Sequence, residues 1–309
     1  MKRILAIDGG GIRGIIPAVI LRAFETYTDR KCTEMFDLLV GTSTGGLICL
    51  GVAHPKAFDA ERLLELFKDK GSSIFTKRRG GLSMALRGGP AYSSEGLKSV
   101  LKDYFGEARL RDVSTDVMVT TYDIAERRPR TLKSWNAVSD QRRDLALWEA
   151  GTATAAAPMY FPPFSSGERA LIDGGVVANN PAALGYAEAR SRWPGEAVVV
   201  VSIGTGRVRK PYLADEVKKW GPLQWVGPII DFLFSGASDS TDYVLKHCLP
   251  SENYFRFQLD VPADCAAMDD ASAENIEKLR AIASSFVGDS GDKISEAVST
   301  LLSPNRNTA

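Results

Sequence analysis

The feature that most constrains the fold is a regular alternation of short apolar runs with helical patterns, from residue 3 to about residue 206. The run "AVVVVSIGTG" at 197–206 is almost wholly apolar, which is typical of a parallel strand covered on both faces. "RILAI" at 3–7 and "FDLLVG" at 36–41 are shorter runs of the same kind. The alternation predicts an α/β fold in three layers (α/β/α), with a mostly parallel central sheet sandwiched by helices.

The chain shows no internal repeat and no linker-like tract, so we predict a single domain over 1–309. We expect its core over about 3–206. The remainder, 207–309, ends in two helical patterns and is expected to be a helical addition packed on the same core. A stretch rich in Gly, Ser and Arg at 71–92 is expected to be a long surface loop.

Composition argues against several functional classes. Lys+Arg and Asp+Glu both number 38, so no net charge attracts the chain to nucleic acid, and we expect no nucleic-acid partner. The four cysteines form no C-x-x-C pair and the two histidines lie far apart, so we predict no metal site and no cofactor. No stretch approaches the ~18 apolar residues of a membrane span. Scattered thiols are typical of a reduced, cytoplasmic protein.

A candidate nucleophile follows the second predicted strand. "VGTSTGG" at 40–46 matches G-x-S-x-G with Gly41, Ser43 and Gly45. In a sharp strand–turn–helix bend the serine lies at a strained apex, and glycines on either side leave room for the neighbouring chains. A purely structural turn is the alternative. The position between an apolar strand and an apolar helix favours a nucleophile at Ser43.

A serine hydroxyl needs a base to take its proton, and the sequence offers two kinds. His54 lies three turns beyond Ser43 on the same predicted helix, so we expect it to point away. His247 lies in a helix-like pattern and stays open as the histidine of a Ser-Asp-His esterase. Asp173 lies at the end of a predicted strand, where active-site groups of parallel α/β sheets collect. Its alternative role is a simple Asx turn.

A glycine-rich loop, "DGGGIRG" at 8–14, follows the first strand. It also matches G-x-G-x-x-G, but the acid of a dinucleotide site is missing from the end of the second strand, which disfavours a nucleotide cofactor. Glycine N–H groups can instead approach a tetrahedral oxyanion closely, because no Cβ intervenes. Gly10 and Gly11 are the best candidate donors for such an oxyanion hole, with Gly9 and the N–H of Thr44 as further candidates.

Taken in order, the three motifs resemble those of the patatin-like phospholipases, which pair D-G-G-G-x-R-G with G-x-S-x-G and D-G-[GA]. "NNP" at 179–181 and "VSIGTG" at 201–206 are also similar to stretches common in that family. The resemblance implies a Ser43–Asp173 dyad that cleaves lipid esters, and transient contact with the membrane surface to reach a phospholipid substrate. It gives supporting roles to the other motif residues, which are Arg13, Gly14, Gly41, Gly45, Gly174 and Gly175. Because an ordinary aspartate, with a pKa of about 3.9, is a weak base, we expect a pocket that raises the pKa of Asp173.

Three further stretches bear on substrate and control. "WGPLQWVGPIIDFLFSG" at 220–236, broken by Gly and Pro, is interpreted either as a lipid-facing lip or as a buried segment covering the sheet. Basic runs at 75–89 and 206–210 are candidates for contact with headgroups or an anionic regulator. The stretch 233–249 resembles a bacterial branch of the family, some of whose members are phospholipases switched on by cyclic nucleotides in antiphage defence.

That resemblance implies a cyclic di- or trinucleotide activator. Homo-oligomerisation is left open by the sequence. So is a catalytically inactive nucleotide- or lipid-binding protein that kept the fold.

Overall fold

The computed structural model describes residues 1–76, 89–208 and 212–303. Within them an eight-stranded sheet lies between two layers of helices, with a two-stranded sheet formed by β8 and β10 beside it. The strands are β1 Lys2–Ile7, β2 Leu38–Thr42, β3 Asp116–Asp123, β4 Arg128–Lys133, β5 Phe164–Ser166, β6 Arg169–Asp173, β7 Val198–Ile203, β8 Arg207–Val208, β9 Tyr254–Phe257 and β10 Asp260–Val261.

The helices surround this sheet on both faces. They are α1 Ile15–Thr28, α2 Cys32–Met35, α3 Thr44–Ala53, α4 Ala60–Ile74, α5 Ser94–Phe105, α6 Ser134–Ser139, α7 Leu147–Thr154, α8 Gly175–Ala178, α9 Ala182–Arg192, α10 Ala214–Val217, α11 Pro222–Cys248, α12 Ala273–Asp289 and α13 Gly291–Leu302. The predicted α/β sandwich is confirmed.

The centre of the sheet is parallel and one edge is antiparallel. Strands β3, β2, β1, β7 and β9 run parallel in that order, whereas β4, β5 and β6 pair antiparallel. β7 is buried at every position, as a fully apolar central strand requires. Successive β7 side chains alternate between two apolar clusters, one on each face of the sheet: Val199 and Val201 in the larger cluster, Val198 and Val200 in the smaller.

The pairing of β3 brings two other strands together. β4 occupies one edge of β3 over 118–123, so β2 and β6 must share the other edge. There β2 ends with Thr42 opposite Thr120, and β6 ends with Asp173 opposite Thr121. Because these partners are consecutive on β3, β2 and β6 meet end to end.

The two C-terminal helices pack against the same core as the first helix. Ile276 and Leu279 of α12 and Ile294 of α13 are buried in the larger apolar cluster, which also contains Phe24 of α1. The single-domain division itself stays a prediction. Within the described residues, every helix is too short or too polar to cross a membrane.

One local expectation is wrong, and a second local feature was not predicted. The predicted surface loop does not begin at residue 71, because α4 continues to Ile74, while residues 77–88 lie outside the described residues. The second is that the Gly and Pro residues of 220–236 end no helix, since α11 contains Pro228; the sequence made no prediction of helix or break there. An interior proline costs about 3 kcal/mol, and buried Phe234 and Leu245 anchor the helix against that penalty.

Candidate active site

Ser43 lies at the apex of a sharp turn between β2 and α3. Its backbone has φ 53° and ψ −125°, a conformation that L-residues rarely adopt. The turn is held by Thr154 of α7, whose hydroxyl accepts the Ser43 N–H at 2.9 Å and donates to the Thr120 carbonyl at 2.7 Å. This strained, over-determined backbone is that of a nucleophile elbow.

The two glycines of the elbow are required by close packing. A Cβ on Gly41 would lie 2.3 Å from the Gly45 carbonyl oxygen. A Cβ on Gly45 would lie 2.2 Å from the carbonyl oxygen of Ile7 in β1. The G-x-S-x-G spacing therefore lets the elbow pack directly on the neighbouring strand.

Asp173 lies beside this elbow because β6 meets β2 end to end. Its side chain is buried, with 1% of the residue exposed. Oδ1 accepts the Gly175 N–H at 2.7 Å, whereas buried Oδ2 has no hydrogen-bond partner of standard geometry. Burial raises the pKa of Asp173 to about 6, and hydrogen bonding from the Ser43 hydroxyl, followed by the Gly175 N–H, opposes that rise.

The Ser43 hydroxyl is thus near enough to act on the Asp173 carboxyl, although Oδ2 completes no bond of standard geometry. Hydrogen bonds of catalytic pairs are often long without substrate. An aspartate of raised pKa, with a free oxygen beside a serine hydroxyl, has the arrangement of a general base.

The glycine loop presents two free amide groups to the same cleft. Gly10 and Gly11 line the pocket with Ser43, and neither N–H has a partner among the described residues. Thr44 also lines the pocket, and its N–H belongs to the first turn of α3, where helix amides have no partner within the helix. These three amides can serve an oxyanion.

Gly9 is a correction to the predicted oxyanion hole. Its N–H already donates to the Asn179 carbonyl at 3.1 Å, so it is not available to a ligand. Its own carbonyl accepts the Thr205 hydroxyl at 2.6 Å and the Asn179 side-chain amide at 3.4 Å. Gly9 therefore anchors the loop, and the predicted "NNP" and "VSIGTG" stretches supply the anchors.

A buried ion pair holds the start of the same loop. Asp8 Oδ1 and Oδ2 accept from the Arg256 guanidinium at 2.8 and 2.5 Å, and Arg256 also donates to Ser202 at 2.8 Å. Both side chains are nearly inaccessible to solvent. Since an unpaired buried charge is strongly destabilising, this pair fixes Asp8 in place. Arg256, in the unpredicted strand β9, was not expected from the sequence; its signal was one arginine inside the apolar run "YFRF".

Arg13 of the loop forms no ion pair with the described carboxylates. Its Nε is buried without a hydrogen-bond partner, and burial lowers the pKa of its guanidinium while the Asp231 charge opposes this. Arg13 and Asp231 line a polar cavity of about 290 Å³ next to the active-site pocket, with which it shares Phe234 and Met268. A salt bridge through which Arg13 would fix the loop is absent from the described part of the chain.

The remaining predicted support residues sit in close contacts. A Cβ on Gly14 would lie 2.2 Å from the Thr44 hydroxyl, and one on Gly174 would lie 2.1 Å from the Thr120 hydroxyl. A Cβ on Gly175 would lie 2.7 Å from the ring of Phe234. These glycines allow the loop, β3 and α11 to close around the site.

Apart from Ser43, Thr44, Asp173 and the glycine loop, the active-site pocket is narrow and lined by apolar side chains. Its cavity volume is about 60 Å³. The side chains on its walls are aliphatic or aromatic: Ile12, Leu47, Phe67, Ile74, Phe75, Leu97, Tyr160, Phe161, Ile230, Phe234 and Met268, with Ala155 and Ala157. Such walls suit an acyl chain.

Helix α11 borders this pocket with one face and solvent with another. Ile230 and Phe234 line the pocket. Ile229, Phe232 and Leu233 are 44%, 39% and 52% exposed. We give the name lip to five exposed side chains, which are Leu213, Trp225, Ile229, Phe232 and Leu233. The buried interpretation therefore applies to one face of this stretch, whereas the lipid-facing lip stays a prediction for the exposed face.

Neither histidine reaches the site. His54 is buried at the end of α3, stacked on Phe58 with 4.1 Å between ring centroids. His247 lies on the exposed end of α11, where Nδ1 lies 2.7 Å from the Tyr243 carbonyl oxygen, and it is not among the pocket residues.

Comparisons with known proteins agree with the motifs. A family model described as "Patatin-like phospholipase" matches residues 5–185. Patatin-like protein 2 of Arabidopsis thaliana is 32% identical, over 89% of this chain and 80% of that protein. Patatin-2-Kuras 4 of Solanum tuberosum is 31% identical, over 90% of this chain and 84% of that protein. Among solved structures, VipD from Legionella pneumophila aligns with a TM-score of 0.46 at 11% identity, over 92% of this chain and 67% of that chain.

The buried carboxyl of Asp173 should weaken the folded state at neutral pH. A raised folded-state pKa of about 6 means that stability present below the unfolded pKa of about 3.9 is lost as pH rises through 6. Replacing Asp173 with Asn removes this titration. Relative to wild type, we expect the free energy of unfolding of Asp173→Asn to be about 2.4 kcal/mol higher at pH 8 than at pH 4, at 1.36 kcal/mol per pKa unit, because the unfolded carboxyl is already about half ionised at pH 4.

Urea unfolding at pH 4, 6 and 8 measures this difference. Asp103→Asn is the matched control, because Asp103 is exposed on α5, and its effect should stay within about 0.5 kcal/mol throughout. A difference between Asp173→Asn and wild type that does not change with pH would contradict the burial argument.

Proposed function

The chain belongs to the patatin-like phospholipase family, and we propose that this lipid acyl hydrolase cleaves ester bonds of membrane phospholipids with a Ser43–Asp173 dyad. The observation that carries the proposal is the unpartnered, buried Oδ2 of Asp173 beside the strained serine. The free amides of Gly10 and Gly11 support it from the other side of the cleft.

In the proposed reaction Ser43 Oγ attacks the ester carbonyl carbon while its proton passes to Asp173 Oδ2. The carbonyl oxygen becomes an oxyanion that accepts from the N–H groups of Gly10, Gly11 and Thr44. Collapse of this intermediate breaks the bond to the alcohol, which leaves with the proton from Asp173, and an acyl group remains on Ser43. Water then repeats the sequence, releasing the fatty acid.

The raised pKa of Asp173 suits this role. A carboxyl with a pKa of about 6 is still mostly ionised at neutral pH. Its higher pKa also makes it a stronger base than an ordinary aspartate. General bases work best when their pKa is near the operating pH. Deep burial thus makes the carboxylate a usable base in the absence of a catalytic histidine.

The pocket walls favour a long-chain lipid. The acyl chain would occupy the apolar pocket between Phe67 and Phe161, and Arg13 in the adjacent polar cavity would face the lipid phosphate. A histidine-based esterase is disfavoured, because His247 lies outside the pocket and bonds to the Tyr243 carbonyl.

The catalytic proposal predicts that Ser43→Ala and Asp173→Asn each lower lipid hydrolysis by about 10⁴-fold or more, since removing either member disables the dyad. The measurement is fatty-acid release from native phospholipid extract. Wild-type kcat/KM should rise as pH increases through about 6, as Asp173 loses its proton.

Exposed Ser139→Ala serves as the control and should retain full activity. A fluorophosphonate probe should label wild type but not Ser43→Ala, which distinguishes a hydrolase from an inactive binding protein. Undiminished hydrolysis by a folded Asp173→Asn variant would refute the dyad.

We also propose that the lip contacts the membrane. Aromatic and aliphatic side chains are exposed next to the pocket mouth, and α11 carries both the exposed face and part of the pocket wall. Trp225 packs edge-to-face against Trp220, with 5.1 Å between the ring centroids, and such aromatic pairs are typical of interfacial segments. A lipid surface is the occupant that also delivers substrate to this mouth.

Replacing Ile229 and Leu233 together with Gln should weaken binding to phospholipid vesicles about tenfold or more, because two exposed aliphatic groups lose their transfer to the bilayer. Vesicle co-sedimentation measures the change, and the midpoint of thermal unfolding should not fall. Val244→Gln, at the exposed far end of the same helix, is the control. Equal vesicle binding by the double variant and wild type would remove the lip from the proposal.

A finer proposal concerns control. The resemblance of 233–249 to the antiphage branch supports activation by a cyclic di- or trinucleotide, in a pathway that ends in membrane damage. Arg207 in one predicted basic run is held by Asp239 of α11, whereas residues 77–88 and 209–211 lie outside the described residues.

Hydrolysis by wild type should therefore be low alone and rise at least tenfold with one member of a panel of cyclic di- and trinucleotides. Ser43→Ala with the same ligand gives the background rate. Failure of every ligand to stimulate a preparation that reacts with the fluorophosphonate probe would exclude this form of control and leave the dyad untouched.

A further inference from the structure

A second concave surface, the basic pocket, is built around β4. Its cavity volume is about 310 Å³, and it shares no residue with the active-site pocket. Six cationic side chains and no carboxylate line it: Arg128, Arg130, Lys133, Arg142, Arg143 and Arg169.

These cations come from three separate segments. Lysine and arginine on an edge strand commonly serve only to prevent pairing with another chain, and the three on β4 would suffice for that. The others come from the turn Gln141–Arg143 and from Arg169 at the start of β6. Cations from three separate segments therefore line one concave surface. This arrangement is typical of a binding site, whereas protection of an edge strand against pairing would need only the cations of β4.

The charges in the basic pocket are only partly balanced. Five of the six cations form ion pairs with carboxylates that do not line the pocket. These carboxylates are Asp123, Glu126, Asp140 and Glu188. Arg169 makes no ion pair with the described carboxylates. The six cations therefore exceed their carboxylates by two in a chain whose net charge is zero.

The excess positive charge of the basic pocket acts on Arg130. Its side chain is only 18% exposed. Burial lowers the pKa of Arg130, and the neighbouring charges of Arg169 and Arg128 lower it further, while Glu126 and Asp123 oppose the shift. A bound anion would relieve this repulsion.

The residue types indicate the chemistry of the anion. Five of the six cations are arginines, whose planar guanidinium matches two oxygens of a phosphate at once. Asn136 adds amide donors to the same lining. We infer that the basic pocket binds a phosphate-bearing anion, carried either by a free phosphorylated small molecule or by the headgroup of an anionic lipid.

This site is distinct from the catalytic cleft but structurally adjacent to it. Arg130 and Asp173 both pair with Thr121, from opposite edges of β3. The Thr121 hydroxyl also donates to the Arg130 carbonyl at 2.8 Å. Phosphate binding here does not depend on the proposed catalytic dyad.

The test uses the full chain and the double variant Arg143→Gln/Arg169→Gln. Removal of the Arg169 charge leaves no described carboxylate without its ion-pair partner. When Arg143 is replaced, Asp140 still pairs with Arg142, so the variant should fold as wild type does. By isothermal titration calorimetry at fixed ionic strength, wild type should bind inorganic pyrophosphate, and the double variant should raise the Kd at least about tenfold. Citrate, a polyanion without phosphate, should bind wild type at least tenfold more weakly than pyrophosphate.

The matched control is Arg30→Gln/Arg190→Gln, which removes the same charge from exposed sites outside the pocket and should bind as wild type does. Vesicles of phosphatidylglycerol and of phosphatidylcholine separate the two sources. Pocket-dependent binding to the former alone, with no binding of pyrophosphate, assigns the site to a headgroup. The inference is overturned if wild type binds neither pyrophosphate nor phosphatidylglycerol, if the double variant binds as wild type does, or if citrate binds equally well.

Discussion

The proposed catalytic arrangement depends on one feature of strand pairing: β2 and β6 meet end to end along a single edge of β3. Thr120 and Thr121 are consecutive, so their partners Thr42 and Asp173 are held at adjacent positions by backbone hydrogen bonds. Ser43 follows Thr42 directly. The distance between the Ser43 and Asp173 side chains is therefore set by strand pairing within the sheet rather than by loops.

Around this junction, burial supplies both strain and reactivity. Ser43 keeps an unfavourable backbone conformation because Thr154 and the packing of Gly45 against β1 leave it no alternative. Asp173 keeps a basic carboxylate because the same packing excludes water. Asp8 is also a buried carboxylate, but the bidentate guanidinium of Arg256 neutralises its charge. Asp8 therefore positions the loop and is not available as a base.

Sequence alone selected Ser43, Asp173 and the glycine loop, which the structure brings into one pocket, because each lies in a short motif whose spacing has a local cause. It placed Asp173 for the wrong reason: β6 runs antiparallel to β3, so Asp173 does not belong to the row of parallel strand ends. Its error on Gly9 and its silence on Arg256 share one origin. Both depend on hydrogen bonds to residues distant in sequence, and no periodicity encodes those.

The narrowness of the active-site cavity gives α11 its mechanical importance. A cavity of about 60 Å³ has room for only part of a long acyl chain, so the rest of the chain would extend through the open mouth or displace a wall. Ile230 and Phe234 form part of that wall, and their neighbours Ile229 and Leu233 on the same helix face solvent. Because a helix moves as a unit, transfer of its exposed face into a lipid surface would displace the buried face too. In the proposed membrane contact, opening of the pocket would then accompany binding to the lipid surface.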